Sequence, residues 1–187
     1  MNRVAIVASA SCSGKTTLGR ALARRLDAPF VELDALNHGP NWDQATPEEL
    51  RRRVEPLIDE PRWVVDGSYR SKLGDLVLER ADLVVWLDLP VHVWLPRLVR
   101  RTLGRVVRRE ELWNGNRETI WNGFFARDSL LRFALRTYPQ RRKRYPLDLA
   151  RFPLVRLRSP AEIDAWLTSV ARDERLAGQV QEHDHGE

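Results

Sequence analysis

The sequence predicts an α/β fold of three layers, in which helices cover both faces of a five-stranded parallel sheet. Two observations predict it. Short apolar runs alternate along the chain with stretches of helical period, as they do in repeated β-α-β units. The chain of 187 residues, of which 43% are hydrophobic and 30% charged, is long enough for one such domain with a substantial core.

The five predicted strands are apolar runs bounded by polar, glycine or proline residues. Gly67 closes the third run and Pro90 stops the fourth. The second run is expected to end in the carboxylate of Asp34. The strands are expected at Val4–Ala8, Pro29–Asp34, Trp63–Asp66, Asp82–Asp88 and Pro153–Leu157.

The predicted helices are recognised by their apolar spacing and their start signals. Leucines at every fourth position place one apolar face on a first helix, Lys15–Leu26. N-cap residues followed by acidic residues mark helix starts at Thr46 and Ser159. Two further helices are expected over Val91–Val107 and Asp128–Tyr138.

No internal repeat or linker divides the chain, so residues 1–175 are expected to form one domain and residues 176–187 a polar, flexible tail.

Composition excludes several kinds of protein. The single cysteine, Cys12, excludes an intrachain disulfide and a multi-cysteine metal cluster. No apolar run approaches the roughly 20 residues of a membrane-spanning helix, so the cytoplasm is the expected location and no membrane partner is expected. The net charge of +5 indicates either an anionic partner or a coding bias toward arginine.

A phosphate-binding loop follows the first predicted strand. The stretch Ser9-Ala-Ser-Cys-Ser-Gly-Lys-Thr16 matches the pattern G-x-x-x-x-G-K-[ST], except that serine stands at the first glycine. A strand before the loop and a helix after it are the context in which backbone N–H groups cradle a phosphate. The sequence therefore predicts a P-loop NTPase fold that binds ATP and Mg²⁺.

Most residues of this loop have an expected contact with the nucleotide. Lys15 should bridge the β- and γ-phosphates, and the hydroxyl of Thr16 should bind Mg²⁺. The hydroxyl of Thr17 is expected at the α-phosphate. The expected nucleotide ligands of the loop are Ser11, Cys12, Ser13, Gly14, Lys15, Thr16 and Thr17.

Two residues of the loop depart from the common pattern. Ser9 is expected to need a backbone conformation that glycine adopts more easily. Cys12 stands where related loops often carry glycine, and it is either a small apolar filler or a reactive thiol. Both departures bear on how tightly ATP binds.

With these motifs the chain resembles the nucleoside monophosphate kinases, and most closely the small bacterial adenylate kinase-like proteins labelled DNA topology modulation proteins. The resemblance covers about residues 3 to 170. It implies the strand order 2-3-1-4-5, with ligands at the carboxyl ends of the strands. The stretches that carry it are Ser9–Thr17, Leu33-Asp34 with Trp42, Trp63–Tyr69, Ala81–Pro90, Arg97–Arg109 and Val155–Ser159.

Three aspartates are candidates for catalysis. Asp66 and Asp88 each follow an apolar run, as a Mg²⁺-binding carboxylate does. The implied sheet places the third strand beside the phosphate loop, which favours Asp66 as the second Mg²⁺ ligand. Asp88 precedes Pro90 at a helix start and is interpreted as a capping residue. Asp34 is expected to orient or deprotonate the acceptor, although a strand-end aspartate is otherwise a turn or cap residue.

The acceptor site is expected around Asp34, Trp42 and the turn Asp66–Tyr69, with Arg70 as a candidate phosphate ligand. The arginines that bind the acceptor phosphate in adenylate kinases stand at positions that this chain does not clearly match. The sequence therefore predicts the donor, ATP, more firmly than the acceptor.

Arginines recur every fourth residue along the predicted helix that begins at Val91. This spacing places them on one stripe, opposite an apolar stripe that includes Trp94, Leu98 and Leu103. The resemblance implies that Arg97 stacks on the adenine, that Arg101 contacts the phosphates as a catalytic residue, and that residues 104–127 form an arginine-rich lid. A solvated cationic face is the alternative for the arginines beyond Arg101, which are Arg105, Arg108, Arg109 and Arg117. The cluster Arg141–Arg144 either continues the lid or is exposed charge.

The favoured function is a phosphotransferase that moves the γ-phosphate of Mg-ATP to a small acceptor, plausibly a nucleoside monophosphate. A nucleotide-dependent ATPase or switch that binds nucleic acid is a less favoured alternative, supported by tryptophans interleaved with arginines. A kinase of a sugar or an antibiotic is a third alternative, which the sequence does not separate from a nucleotide kinase.

Overall fold

The computed structural model describes residues 1–108, 111, 113–116 and 129–170 of the chain. Its strands are β1 (Arg3–Ala8), β2 (Phe30–Glu32), β3 (Trp63–Asp66), β4 (Leu83–Leu87) and β5 (Leu154–Leu157). All of them pair in parallel in one sheet of order β2-β3-β1-β4-β5. The predicted fold class and strand order are confirmed.

Helices connect successive strands and continue past the last one. They are α1 (Lys15–Leu26), α2 (Leu33–Asn37), α3 (Pro47–Ile58), α4 (Arg70–Leu73), α5 (Leu76–Glu79), α6 (Val91–Arg108), α7 (Leu130–Asp148) and α8 (residues 160–170). Both predicted start signals are confirmed, because Thr46 and Glu49 form a capping box at α3 and the hydroxyl of Ser159 accepts from the N–H of Glu162 at 3.1 Å. Among the described helices, none combines the length and the apolar character that a membrane crossing would need.

The sheet is buried on both faces, because neighbouring residues of a strand point to opposite sides. On one side, Ala5 and Val7 of β1 pack with the apolar residues of α3, α4 and α5. On the other side, Val4 and Ile6 pack with α1 and with side chains of α8. The result is the predicted three-layer arrangement.

A third apolar cluster lies where α6 and α7 meet the phosphate loop. Trp94 and Leu98 of α6 pack with Ala134 and Tyr138 of α7, and the two aromatic rings are 5.3 Å apart at their centroids. Ala10, in the phosphate loop, belongs to the same cluster. The phosphate loop therefore packs against these two helices through Ala10.

Several predicted boundaries differ from the structure. β2 ends at Glu32, so Asp34 lies in the first turn of α2 and not at the end of a strand. α7 does not stop at Tyr138 but continues to Asp148. The buried face of α6 carries Thr102 where Leu103 was expected, because position 102 and not 103 is four residues from Leu98.

Two predicted segments fall wholly or partly outside the described residues. Of the predicted lid, residues 104–108 form the end of α6, whereas residues 109, 110, 112 and 117–127 lie outside the description. Arg109 and Arg117 are among these. The predicted tail, residues 176–187, also lies outside the description.

Candidate active site

The phosphate loop leaves the carboxyl end of β1 and leads into α1. Parallel pairing sets Ile6 of β1 opposite Asp66 of β3, and the N–H of Gly67 donates to the carbonyl of Ile6 at 2.9 Å. The end of β3 therefore lies beside the start of the loop. Gly14 precedes α1 with φ of +90°, a conformation that other residues rarely adopt. The turn from the loop into the helix thus requires glycine at this position.

Lys15, Thr16 and Asp66 converge at the N-terminus of α1. The Thr16 hydroxyl donates to Asp66 Oδ2 at 2.6 Å, and Lys15 Nζ lies 3.1 Å from Asp66 Oδ1. The side chain of Asp66 is only 5% exposed. A hydroxyl and a carboxylate are the hard oxygen donors that Mg²⁺ prefers, so Thr16 and Asp66 fit a Mg²⁺ site. The structure brings the two predicted metal ligands together.

Lys15 is held in its charged form by its neighbours. Burial alone lowers the pKa of Lys15, but the carboxylates of Asp66 and Asp34 outweigh it and leave the pKa raised above its ordinary value. The ammonium therefore stays protonated through neutral and mildly alkaline pH. The charge of Arg141, in α7, acts in the opposite direction and is the smallest of these influences on the lysine pKa.

Ser9 is built into the end of the sheet through its side chain. Its hydroxyl donates to Asp88 Oδ1 at 2.9 Å and accepts from Trp86 Nε1 at 2.9 Å, and all three side chains are buried. The positive-φ residues of the described chain include Cys12, with φ of +60°, but not Ser9. The expectation that Ser9 needs a glycine-like backbone is therefore wrong, and the left-handed conformation falls at Cys12.

Cys12 is half-buried in the loop and packs against the apolar cluster between α6 and α7. This position supports the interpretation of Cys12 as a small apolar filler.

Asp88 lies at the centre of an ion-pair network at the carboxyl end of β4. Arg156 of β5 donates to Asp88 Oδ2 from Nε at 3.1 Å and from Nη2 at 2.5 Å. Arg142 of α7 lies 3.4 Å from Oδ1, and the carboxylate is fully buried. Asp88 is therefore not the capping residue that its position before Pro90 suggested, because Ser9 and the two arginines engage both of its oxygens.

Asp34 lies in α2 and is hydrogen-bonded to a tyrosine of the turn between β3 and α4. The hydroxyl of Tyr69 donates to Asp34 Oδ1 at 2.7 Å. Burial, and then the charge of Asp34, raise the pKa of Tyr69 far above its ordinary value, so this hydroxyl stays protonated and remains a donor. Tyr69 also has φ of +44°, a left-handed conformation that is uncommon outside glycine.

Arg97 and Arg101 of α6 differ in exposure. Arg97 is exposed, whereas Arg101 is partly buried and lies on the same side of the helix as the apolar cluster. The Nε atom of Arg101 is buried and makes no hydrogen bond with the part of the chain that the structure describes. Their predicted contacts with adenine and phosphate stay predictions.

Two asparagines join the described part of the predicted lid to the loop that follows α2. Asn116 Oδ1 accepts from the N–H of Trp42, and its Nδ2 donates to the carbonyl of Gly39, each at 2.8 Å. Asn114 donates to the carbonyl of His38. Asn116 is 4% exposed, so these contacts are part of a packed junction.

Sequence reasoning placed Tyr69 in the acceptor turn but missed its hydrogen bond to Asp34, which depends on α2 being helical. It also missed two other residues of this site. Arg141 was noted only as part of a basic cluster, because a helix through Pro139 was not expected. Asn116 gave no signal beyond an Asn-Gly-Asn run, and its partners are more than seventy residues away in the chain.

Comparison with known proteins shows similarity only at the level of structure. No family model matches the chain, and no curated protein matches it. Shikimate kinase from Bacteroides thetaiotaomicron matches over 95% of this chain and 98% of its own, with 20% identity and a TM-score of 0.53. A gluconokinase from Sinorhizobium meliloti 1021 matches over 98% of both chains, with 24% identity and a TM-score of 0.51.

A third structure agrees with these two. Shikimate kinase from Acinetobacter baumannii, in complex with shikimate, matches over all of this chain and 96% of its own, with 16% identity and a TM-score of 0.53. At these identities the likeness establishes the fold. The chain has the P-loop α/β fold that these kinases share.

Proposed function

We propose that this protein is an ATP-dependent kinase that transfers the γ-phosphate of Mg-ATP to a hydroxyl group of a small acceptor. The observation that supports it most directly is the contact of Lys15, Thr16 and Asp66 at the N-terminus of α1. A P-loop that binds a nucleotide needs these three groups together. Lys15 and Thr16 begin α1, whereas Asp66 ends β3, so only the folded sheet brings them side by side.

The donor half of the site would work through charge and position. The N–H groups of the loop, from Ser11 to Gly14, would surround the β-phosphate, and Lys15 would bridge the β- and γ-phosphates. Thr17 would contact the α-phosphate, Arg97 the adenine and Arg101 the phosphates. Mg²⁺, when bound by Thr16 and Asp66, offsets charge on the β- and γ-phosphates. Stabilising the charge of the transferred group is the main task of a phosphotransferase site.

The acceptor half of the site is centred on Asp34. The charge of its carboxylate acts on Lys15 and helps to raise the lysine pKa. In the proposed mechanism Asp34 orients the acceptor hydroxyl and takes its proton, while Tyr69 holds the carboxylate in place through Oδ1. The resemblance to nucleoside monophosphate kinases nominates a nucleotide, and the likeness to a shikimate-bound structure nominates a hydroxylated small molecule.

A coupled ADP-release assay over nucleoside monophosphates, nucleosides, sugars and small alcohols tests the proposal, with Lys15→Ala as the blank. Turnover that depends on an acceptor is expected. Asp34→Asn should lower kcat by about a hundredfold with ATP affinity little changed, as expected for loss of a general base. Hydrolysis that needs no acceptor and is stimulated by DNA would instead support the ATPase alternative.

A further inference from the structure

The basic side chains that follow the Asp66–Tyr69 turn are candidates for binding a phosphate on the acceptor. α4 begins immediately after that turn and carries two of them, Arg70 and Lys72. A phosphate monoester on the acceptor would require at least one cation to face it. The partners of these two side chains therefore bear on the kind of acceptor that the site takes.

Arg70 is neutralised by two carboxylates. Its Nε lies 2.5 Å from Asp75 Oδ1 and its Nη1 lies 2.8 Å from Asp148 Oδ2. Asp75 comes from the start of α5 and Asp148 from the end of α7, so the guanidinium joins two parts of the fold. An Arg70 that turned toward an acceptor phosphate would leave both carboxylates without this partner.

Lys72 is also fully engaged. Its ammonium donates to Asn37 Oδ1 at 2.7 Å, to the carbonyl of Ala45 at 2.7 Å and to Gln44 Oε1 at 3.2 Å. An ammonium has three N–H donors, and here each has an acceptor from the protein. Lys72 thus fixes the loop after α2 and has no donor left for a ligand.

The remaining groups of the acceptor side suit a neutral molecule. Asp34 contributes a negative charge, which repels a phosphate dianion and accepts hydrogen bonds from hydroxyl groups. Burial lowers the pKa of His38, so its ring is neutral at pH 7. His38 and Trp42 form an edge-to-face aromatic pair with centroids 5.6 Å apart, and such rings pack against the C–H faces of sugars. Arg53 also contacts α2, but it is exposed and donates to the carbonyl of Leu36.

We propose that the acceptor of this kinase is a neutral polyhydroxylated molecule, such as a sugar, a polyol or a free nucleoside, and not a phosphate monoester. This rests on the proposed kinase function. In the reaction the acceptor hydroxyl oxygen forms a bond to the γ-phosphorus as the bond to the β–γ bridging oxygen breaks. ADP leaves with the electrons of that bond, and the hydroxyl proton passes to Asp34.

Matched acceptor pairs test this inference. ADP release is measured with each nucleoside and its 5′-monophosphate, and with each sugar or polyol and its phosphate ester. We expect a kcat/KM at least about tenfold higher for the neutral member of the accepted pair. A preference for the phosphorylated member would overturn the inference and leave the kinase proposal intact. If no acceptor stimulates ADP release and ATP is hydrolysed without one, both the inference and the kinase proposal would be overturned.

Arg70→Gln provides a second readout on the protein itself. Because Arg70 is engaged within the fold, this variant should keep acceptor KM and kcat within about threefold of the wild type, provided that it remains folded by circular dichroism. Arg53→Ala is the parallel variant for the exposed cation of α3. A rise of about tenfold or more in the KM of a nucleoside monophosphate in either variant, with ATP affinity unchanged, would contradict the inference.

Discussion

Lys15 is the residue on which the donor half of the site depends most. The carboxylates of Asp66 and Asp34 together raise its pKa despite the opposing effect of burial. Its charge is therefore stabilised by groups that the mechanism also assigns to Mg²⁺ and to the acceptor. Loss of Lys15 would remove the attraction for phosphate and leave the two carboxylates with less charge compensation.

Replacing Lys15 by alanine should lower kcat/KM for ATP by about a hundredfold or more, because a preorganised cation at the transferred phosphate is lost. The comparison is steady-state ADP release at saturating acceptor. Lys143→Ala is the matched control, since Lys143 is an exposed lysine of α7 and should leave the rate unchanged. Equal losses in the two variants would show that position 15 has no special role.

A second prediction concerns the contribution of the Ser9 side chain to stability. Ser9→Gly restores the common loop pattern, yet it removes the hydroxyl that bonds buried Asp88 and Trp86. The free energy of unfolding should fall by about 1–3 kcal/mol, the usual effect of leaving buried polar groups unpaired. Urea denaturation measures it. Ser9→Ala should be destabilised to a similar extent, and a glycine variant more stable than the wild type would contradict this account.

α7 is the helix whose length differs most from what its sequence predicts. It continues through Pro139 because residues on both sides of the proline are anchored to the rest of the fold. Tyr138 packs on Trp94, and its hydroxyl donates to the carbonyl of Leu89 at 3.3 Å. Tyr145 packs edge-to-face on Trp86. These contacts fix the part of α7 that carries Arg141, which lies between the two tyrosines in the chain and whose charge acts on Lys15.

Arg141→Ala should lower kcat by about tenfold or more, because a guanidinium whose charge acts on Lys15 would help to stabilise charge on the transferred phosphate. Arg136→Ala is the control, since Arg136 is exposed on the preceding part of the same helix. Rates measured at saturating ATP separate this effect from weaker binding. An unchanged kcat in Arg141→Ala would show that its charge acts on Lys15 without taking part in the reaction.

The elements show which parts of the fold the sequence could predict. Apolar periodicity and capping residues were sufficient for the strands, for α1 and for the starts of α3 and α8, since these signals are local. The helical turn at Asp34 and the length of α7 depend on tertiary contacts, which override the local signals of a strand end and of Pro139. The hydrogen bonds of Asn116 with Gly39 and Trp42 join segments that are distant in the chain, and no local sequence pattern predicts them.

At the scale of the whole molecule, the loops at the carboxyl ends of the strands form one site because the sheet order places β3 and β4 on either side of β1. The strand order alone does not separate Asp66 from Asp88, because both follow strands beside β1. The resemblance favoured Asp66, which is the aspartate in contact with Thr16 and Lys15. The sequence could not show that Arg70 and Lys72 each bind neighbouring residues of the fold. A basic residue beside a turn has the same sequence pattern whether it binds a ligand or a neighbouring residue.

The stability of the molecule should depend on pH through His38. Burial lowers the pKa of this imidazole, so below the ordinary value of about 6.5 the unfolded chain binds a proton that the folded chain does not. The free energy of unfolding should therefore fall as pH decreases through that value. His38→Gln should reduce the slope between pH 7 and pH 5.5, and the exposed His92→Gln should not; equal slopes in all three proteins would contradict this.

The claim that the protein is a kinase is tested most directly by phosphorus NMR of a reaction that contains Mg-ATP, the protein and an accepted small molecule. The account predicts that the γ-phosphate signal of ATP declines while a phosphate-ester signal of the acceptor grows, and that neither change occurs with Lys15→Ala. Growth of free inorganic phosphate alone, at the same rate with and without acceptor, would contradict it.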